Sequence, residues 1–213
     1  MENIIARIKK TAVIPVATVT EEDAVHVAQA LLLGGLDVIE VTFRTEGADR
    51  AIKRIREECP DMLVGGGTVL SVEQAKMARG AGAQFIVTPG FDADVVSYCQ
   101  KKDMPVFPGC ITATEYQSAH AAGLEIIKFF PAEQSGGVAS IKALSAPFPN
   151  IKVIPTGGIS LDNLADYLGC PAVIACGGSY MVAQKLIREK AWEKIREFSS
   201  MTVEKIKEIR KNG

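Results

Sequence analysis

Eight short apolar runs, most of them rich in β-branched residues, recur along the chain. AVIPVATV, VIEVTF, LVGGGTV, FIVTPG, PVFPGC, IIKFFPA, KVIPTGG and AVIACGG begin near residues 12, 38, 63, 85, 105, 126, 152 and 172. Their nearly continuous apolar character is that of strands covered on both faces. Amphipathic stretches separate them. TEEDAVHVAQALLLGG has Thr20 as N-cap, acids in its first turn and Gly34 at its end, which are the start and stop signals of a helix. SVEQAKMARGAGA repeats the design with Ser71 as its cap. The chain opens on an amphipathic helix with Ile4, Ile5 and Ile8 on one face. It ends on a helix from Ala191 to Lys211, with a break expected near SSMT.

Eight strand–helix units with no Pro/Ser-rich linker predict an all-parallel sheet in one α/β domain over residues 1–213. So many units in just over 200 residues point to a (β/α)8 barrel. An open doubly wound sheet is the second choice, since it rarely uses eight parallel strands in so short a chain.

Within a barrel strand, alternate residues face the barrel axis and the surrounding helices. In VIEVTFR this puts Glu40, Thr42 and Arg44 on one face and Ile39, Val41 and Phe43 on the other. Helices cover the outer face, so the polar set is expected inside, with Lys128 joining it from IIKFF. Thr68, Thr88 and Thr156 sit late in strands three, four and seven. The polar groups thus gather toward the C-terminal mouth, where barrel enzymes build their sites.

Lys128 and Glu40 have two readings. They form a buried ion pair that fixes register, or they do chemistry. Desolvation offsets much of the Coulomb gain of a buried pair, so stability alone is a weak reason to keep one, and the functional reading is favoured. A lysine walled by Phe129, Phe130 and isoleucines is disfavoured as an ammonium, which frees the amine to attack a carbonyl. The iminium so formed is an electron sink that permits carbon–carbon cleavage, and Glu40 is the carboxylate available for proton transfer. Arg44 is either a solvated rim charge or the planar donor for a keto-acid carboxylate.

Two glycine pairs follow the last two strands, in PTGGIS and CGGSY. Each can serve a tight turn. Together, after strands seven and eight, they form the usual phosphate cradle of this fold.

Bulk properties narrow the classes. Composition is 47% hydrophobic and 23% charged, and 24 basic residues nearly cancel 25 acidic ones. This is ordinary for a soluble enzyme and offers no field for nucleic acid or a membrane surface. No apolar run reaches the roughly 18 residues of a span, and MENIIARIKK is too polar for a signal peptide. Five cysteines without Cys-x-x-Cys spacing predict reduced thiols and a cytoplasmic protein. His26 and His120, both in helical patterns, are too few for a metal site to be expected.

The motifs IEVTFRTE, GGGTVL, TPG, KFFPAE, PTGGIS and GGS stand in an order that resembles the 2-keto-3-deoxy-6-phosphogluconate (KDPG) aldolases. Some members of that family also cleave 4-hydroxy-2-oxoglutarate (KHG). The resemblance spans essentially the whole chain. It implies a Schiff-base aldolase on a (β/α)8 barrel, a homotrimer, needing no metal or organic cofactor. Carried across by position, it makes Lys128 the Schiff-base lysine and Glu40 the general acid/base. Arg44 and Thr68 would hold the pyruvyl carboxylate, Thr156 would steer stereochemistry, and Pro89 and Phe130 would wall the pocket. Gly157, Gly158, Gly178 and Ser179 would receive the phosphate. A phosphosugar isomerase or epimerase, or a non-catalytic barrel binding a phosphorylated metabolite, also accounts for the glycine loops but leaves Lys128 without a covalent role. Three positions depart from the family pattern: Tyr180 where relatives often carry Trp, Gly66 in strand three with a looser turn expected, and Cys110, expected near the aldehyde end.

Overall fold

A computed structural model describes residues 2–212, and in it each of the eight apolar runs supplies one parallel strand. In chain order the elements are α1 (Glu2–Thr11), β1 (Val13–Ala17), α2 (Glu21–Leu33), β2 (Val38–Thr42), α3 (Ala48–Glu58) and β3 (Leu63–Gly67). Next come α4 (Val72–Gly80), β4 (Phe85–Val87), α5 (Ala93–Lys101), β5 (Val106–Phe107), α6 (Ala113–Ala121) and β6 (Ile126–Phe129). The chain finishes with α7 (Gly137–Ser145), β7 (Lys152–Pro155), α8 (Leu164–Leu168), β8 (Cys176–Gly178), α9 (Gln184–Arg188) and α10 (Trp192–Asn212).

Continuous pairing runs β5-β4-β3-β2-β1-β8, and β6 pairs β7. Single bridges close the ring. Gly109 to Lys128 ties β6 to the residues just past β5, while Val153 to Val173 and Thr156 to Gly177 tie β7 to the last strand. The architecture is the expected (β/α)8 barrel.

Alternation sorts the strand residues into two packed layers. Ile14, Val38, Leu63, Phe85, Phe107 and Ile126 form part of an interior cluster, and Ile8 of α1 is buried against it with Ile4 and Ile5 beside it. The N-terminal helix therefore lays its apolar face on the bottom of the barrel. Ile39, Val41, Val64, Ile127, Phe129 and Val153 belong to the second cluster, between strands and helices.

Local signals explain most element ends. The Thr20 hydroxyl accepts from Asp23 N and the Ser71 hydroxyl from Gln74 N, so both expected caps form. Gly34 ends α2 where α10 passes closely: a Cβ there would lie 2.3 Å from Ser199 Cβ and 2.7 Å from Arg196 O. His26 and His120 both lie in helices.

Two expectations need correction. β8 begins at Cys176, not near 172, because Val173 bridges Val153 before the chain bends and pairs with β1 through Val13 and Cys176. The last helix is unbroken at SSMT. Ser199 Oγ donates to Ile195 O and Thr202 Oγ1 to Phe198 O, both at 2.7 Å, so these hydroxyls are absorbed by the preceding turn of the helix.

Burial leaves several weak acids in the interior. It pushes the Cys99 thiol up to about 11 and the Cys110 thiol to about 12, from an ordinary 9.0. Burial likewise raises the Tyr116 and Tyr180 hydroxyls to about 12, from 10.0. The folded state holds these protons more tightly than the unfolded one, so their contribution is complete below about pH 9 and is lost as pH climbs toward 12. Urea unfolding at pH 8, 9.5 and 10.5 is expected to show falling midpoints; a constant midpoint would contradict this burial.

Candidate active site

β2 brings a carboxylate into the barrel and β6 brings an amine. Glu40 pairs in register with Val16 of β1 and Gly65 of β3, and Lys128 with Ile154 of β7. Both face the axis, as alternation predicts. Lys128 Nζ lies 3.8 Å from Glu40 Oε1, with the residues 3% and 2% exposed. This is an ion-pair distance without a hydrogen bond, and among the described residues none hydrogen-bonds the buried Glu40 Oε1. The Phe130 ring supplies the amine's other close neighbour, its centroid 4.9 Å from Nζ. The backbone around Lys128 is fixed on one side: Lys128 N donates to Pro108 O and Cys110 N to Lys128 O, each at 2.9 Å.

The glycines of β3 make this placement possible. A Cβ on Gly67 would fall 2.0 Å from Glu40 Oε1 and 2.4 Å from its Cγ, and one on Gly65 would fall 2.1 Å from the Phe85 ring. Gly66 points the other way, where a Cβ would lie 2.9 Å from Ala78 Cβ. The looser turn expected at Gly66 is thus absent: the residue is regular strand, and its lack of a side chain lets α4 approach.

Threonines ring the strand ends. Thr68, Thr88 and Thr156 each follow the last residue of their strand. Thr68 has φ +54°, a left-handed conformation that is uncommon for a β-branched residue and is often held at functional sites. Thr88 is buried and donates to Gly90 O at 2.6 Å, which fixes the turn carrying Pro89. Arg44 lies two residues past β2, exposed in the loop rather than on the strand face where alternation placed it.

A cleft of about 570 Å³ opens above these groups. Arg44, Phe130, Thr156, Gly157, Gly158 and Ser179 lie on its wall. Lys128 and Glu40 do not; the cleft centres on the glycine loops, and Phe130 links its wall to the amine. Thr68 and Pro89 also lie off this wall. Gly177, rather than Gly178, lines it, because Gly177 faces inward against the Thr156 hydroxyl, 2.2 Å from where a Cβ would be. Gly178 faces Tyr180 and Met181.

Gly157 and Gly158 have φ of +101° and +79°, so the turn after β7 needs residues without a Cβ. Among the described residues, none accepts a hydrogen bond from the amides of Gly157, Gly158 or Ile159. After β8 the chain forms a single 3₁₀ turn, Tyr180–Val182.

Besides Gly177, the wall residues Val16, Thr18, Ile159, Val182, Ala183 and Gln184 were missed from the sequence. Thr18 shares its signal with the other threonines, being the first residue past its strand; its hydroxyl is 2.8 Å from that of Thr42. Gln184 Nε2 donates to Thr18 O, a contact across 166 positions that no local pattern reveals. Of the departures from the family pattern, Tyr180 bonds through its hydroxyl to Thr202 of α10 at 2.8 Å. Cys110 is 1% exposed and off the cleft wall, packed in the outer core, so its expected place at the aldehyde end is not where the structure puts it.

The chain is similar to known proteins over most of its length. The family model described as KDPG and KHG aldolase matches residues 4–198. A 2-dehydro-3-deoxy-phosphogluconate aldolase of Treponema pallidum is 46% identical over 96% of this chain and 98% of its own. A KHG/KDPG aldolase of Escherichia coli is 39% identical over 90% and 91%. Among solved structures, a KDPG aldolase of Legionella pneumophila holds pyruvate, captured at low pH, as a covalent carbinolamine intermediate. It superposes with a TM-score of 0.90 at 36% identity, covering 93% of this chain and 97% of that one.

The buried pair makes a prediction about stability. Lys128→Met strands the Glu40 carboxylate inside the barrel and is expected to lower the unfolding free energy by about 3 kcal/mol. Adding Glu40→Leu is expected to recover most of the loss. Urea titration of the three proteins checks this; equal costs for the single and double variants would mean the two groups are not coupled.

Proposed function

The chain belongs to the KDPG and KHG aldolase family, and from that premise we propose how its own residues carry the reaction. It is a carbon–carbon lyase that cleaves 2-dehydro-3-deoxy-6-phosphogluconate to pyruvate and glyceraldehyde 3-phosphate. The phosphate-free substrate 4-hydroxy-2-oxoglutarate gives pyruvate and glyoxylate by the same route. The observation that carries the mechanism is the buried amine of Lys128, 3.8 Å from Glu40 Oε1 and against the Phe130 ring.

Lys128 Nζ attacks the C2 ketone to form a carbinolamine, which loses water to give an iminium. Glu40 takes the proton of the C4 hydroxyl, the C3–C4 bond breaks, and its electron pair moves into the iminium to leave an enamine. The aldehyde departs. Proton return to C3 gives the pyruvate iminium, and water hydrolyses it to pyruvate and free Lys128. The unpartnered Glu40 Oε1 suits a group that must exchange protons with substrate.

Arg44 and Thr68 are assigned the pyruvyl carboxylate, the first by charge and position on the wall, the second by its conformation at the end of β3. Phe130 and Pro89 wall the pocket, and Thr156 meets the hydroxyl-bearing carbon. The Gly157–Gly158 turn receives the phosphate with its free amides, and Gly177 and Ser179, rather than Gly178, face it from the end of β8. The unit that acts is taken as a single barrel domain and a homotrimer in the cytoplasm, with a measured mass of three chains as the test of assembly. Among the described residues, no helix is long and apolar enough to cross a membrane.

Incubation with pyruvate followed by borohydride is expected to attach the reduced adduct to Lys128, located by peptide mass spectrometry. Absence of an adduct on folded protein would return the isomerase and binding-barrel readings to the front. Lys128→Arg should abolish trapping and cleavage together, because a guanidinium is not a usable nucleophile. Glu40→Gln should still form some adduct while kcat drops about 100-fold. An unchanged kcat would remove Glu40 from proton transfer.

A further inference from the structure

The segment Pro131–Glu133, directly after the reactive strand, has no part in the chemistry above, yet it lies against the glycine turn. Ala132 N donates to Thr156 O at 2.8 Å and Glu133 N to Gly157 O at 3.1 Å. Asn163 Nδ2 donates to Gly158 O at 2.9 Å, and Asn163 Oδ1 accepts from Ser160 N at 2.8 Å. Three successive carbonyls of the turn, at residues 156, 157 and 158, are therefore engaged. The amides of Gly157, Gly158 and Ile159 are left without an acceptor among the described residues. A turn whose oxygens are tied and whose N–H groups are free presents partial positive charge to an anion.

Glu133 does more than lend its amide. Its Cγ and Cβ lie 2.4 and 2.7 Å from where a Cβ on Gly158 would be, so its stem fills the space beside that glycine. Its carboxylate accepts a hydrogen bond from the Tyr167 hydroxyl. Tyr167, on α8, is itself 1% exposed. Burial first, then the Glu133 carboxylate, pushes that hydroxyl well above its ordinary range, so it remains a donor at any working pH.

We propose that Glu133, anchored by Tyr167, is a positioning residue that holds the Gly157–Gly158 turn in its anion-binding shape, so that it governs affinity for the phosphorylated end of the substrate and not the chemical step. This rests on the assignment of that turn as the phosphate site. The carboxylate touches no reacting atom. It acts through the backbone that its stem and amide support, and it is half of a clamp whose other half is Asn163.

The test compares Glu133→Ala, Glu133→Gln and Tyr167→Phe with the unaltered enzyme. Steady-state cleavage of the phosphorylated substrate, inhibition by inorganic phosphate, and borohydride trapping of pyruvate on Lys128 are measured for each. Tyr167→Phe and Glu133→Ala are expected to raise KM and weaken phosphate inhibition about 10-fold, with kcat within about twofold, as the loss of one or two supporting contacts implies. Glu133→Gln keeps the stem and an acceptor for Tyr167, and should stay within about threefold of the unaltered enzyme. Pyruvate trapping should not change in any of them. If kcat and trapping fall along with phosphate affinity, or if KM is unmoved, the inference is wrong. Should Glu133→Ala fail to fold, Tyr167→Phe, which removes one oxygen, decides alone. If the unaltered enzyme traps pyruvate but is not inhibited by phosphate, it is the phosphate-site assignment that fails.

Discussion

Two ionisable groups 3.8 Å apart inside a barrel need room that a packed interior does not have to spare. Much of the neighbouring sequence is shaped by that requirement. Gly67 is a glycine because Glu40 occupies the place of its side chain, and Gly65 because Phe85 does. Phe130 follows the reactive strand and sets its ring against the amine. The third glycine of β3 answers a separate demand from outside, the approach of α4. The three-glycine run is therefore a fully regular strand whose missing side chains are used by its neighbours on both faces.

The same logic explains what could be read in advance. Strand alternation placed Glu40 and Lys128 on the inner face correctly, because one polar residue among apolar ones has only two faces to choose between. It misplaced Arg44, since β2 ends at Thr42 and alternation stops with the strand. The resemblance placed Gly178 at the phosphate, whereas Gly177 lines the cleft and Gly178 faces Tyr180 and Met181. The helix caps at Thr20 and Ser71 were legible because they are local. The continuity of the last helix was not, because it depends on Ser199 and Thr202 turning their hydroxyls back onto their own helix. Gln184 was invisible for the opposite reason, as its partner Thr18 is remote in sequence.

The site is divided along its depth. Near the middle of the barrel the groups are buried, few and charged. At the mouth they are backbone amides, threonines and one exposed guanidinium. On the proposed assignment the reacting centre lies in a region of low dielectric, where fixed charges act strongly, while the distal end of the substrate meets groups that water also reaches. The proposed roles of phosphate recognition and ketone activation thus fall on different strands, β7 and β8 for the one and β2 and β6 for the other, joined through Phe130.

The apolar face of α1 seals the far end of the barrel with Ile4, Ile5 and Ile8. Between that helix and the buried pair the interior is filled by Ile14, Val38, Leu63, Phe85 and Phe107, so a ligand held at the pair enters and leaves through the mouth. With the lysine-bound fragment at depth and the phosphorylated aldehyde nearer the opening, the aldehyde departs first and the ketoacid last. In the condensing direction the ketoacid has to load first. The order of release is thus favoured twice, by the covalent adduct on the lysine and by a packed barrel floor that carries no catalytic group.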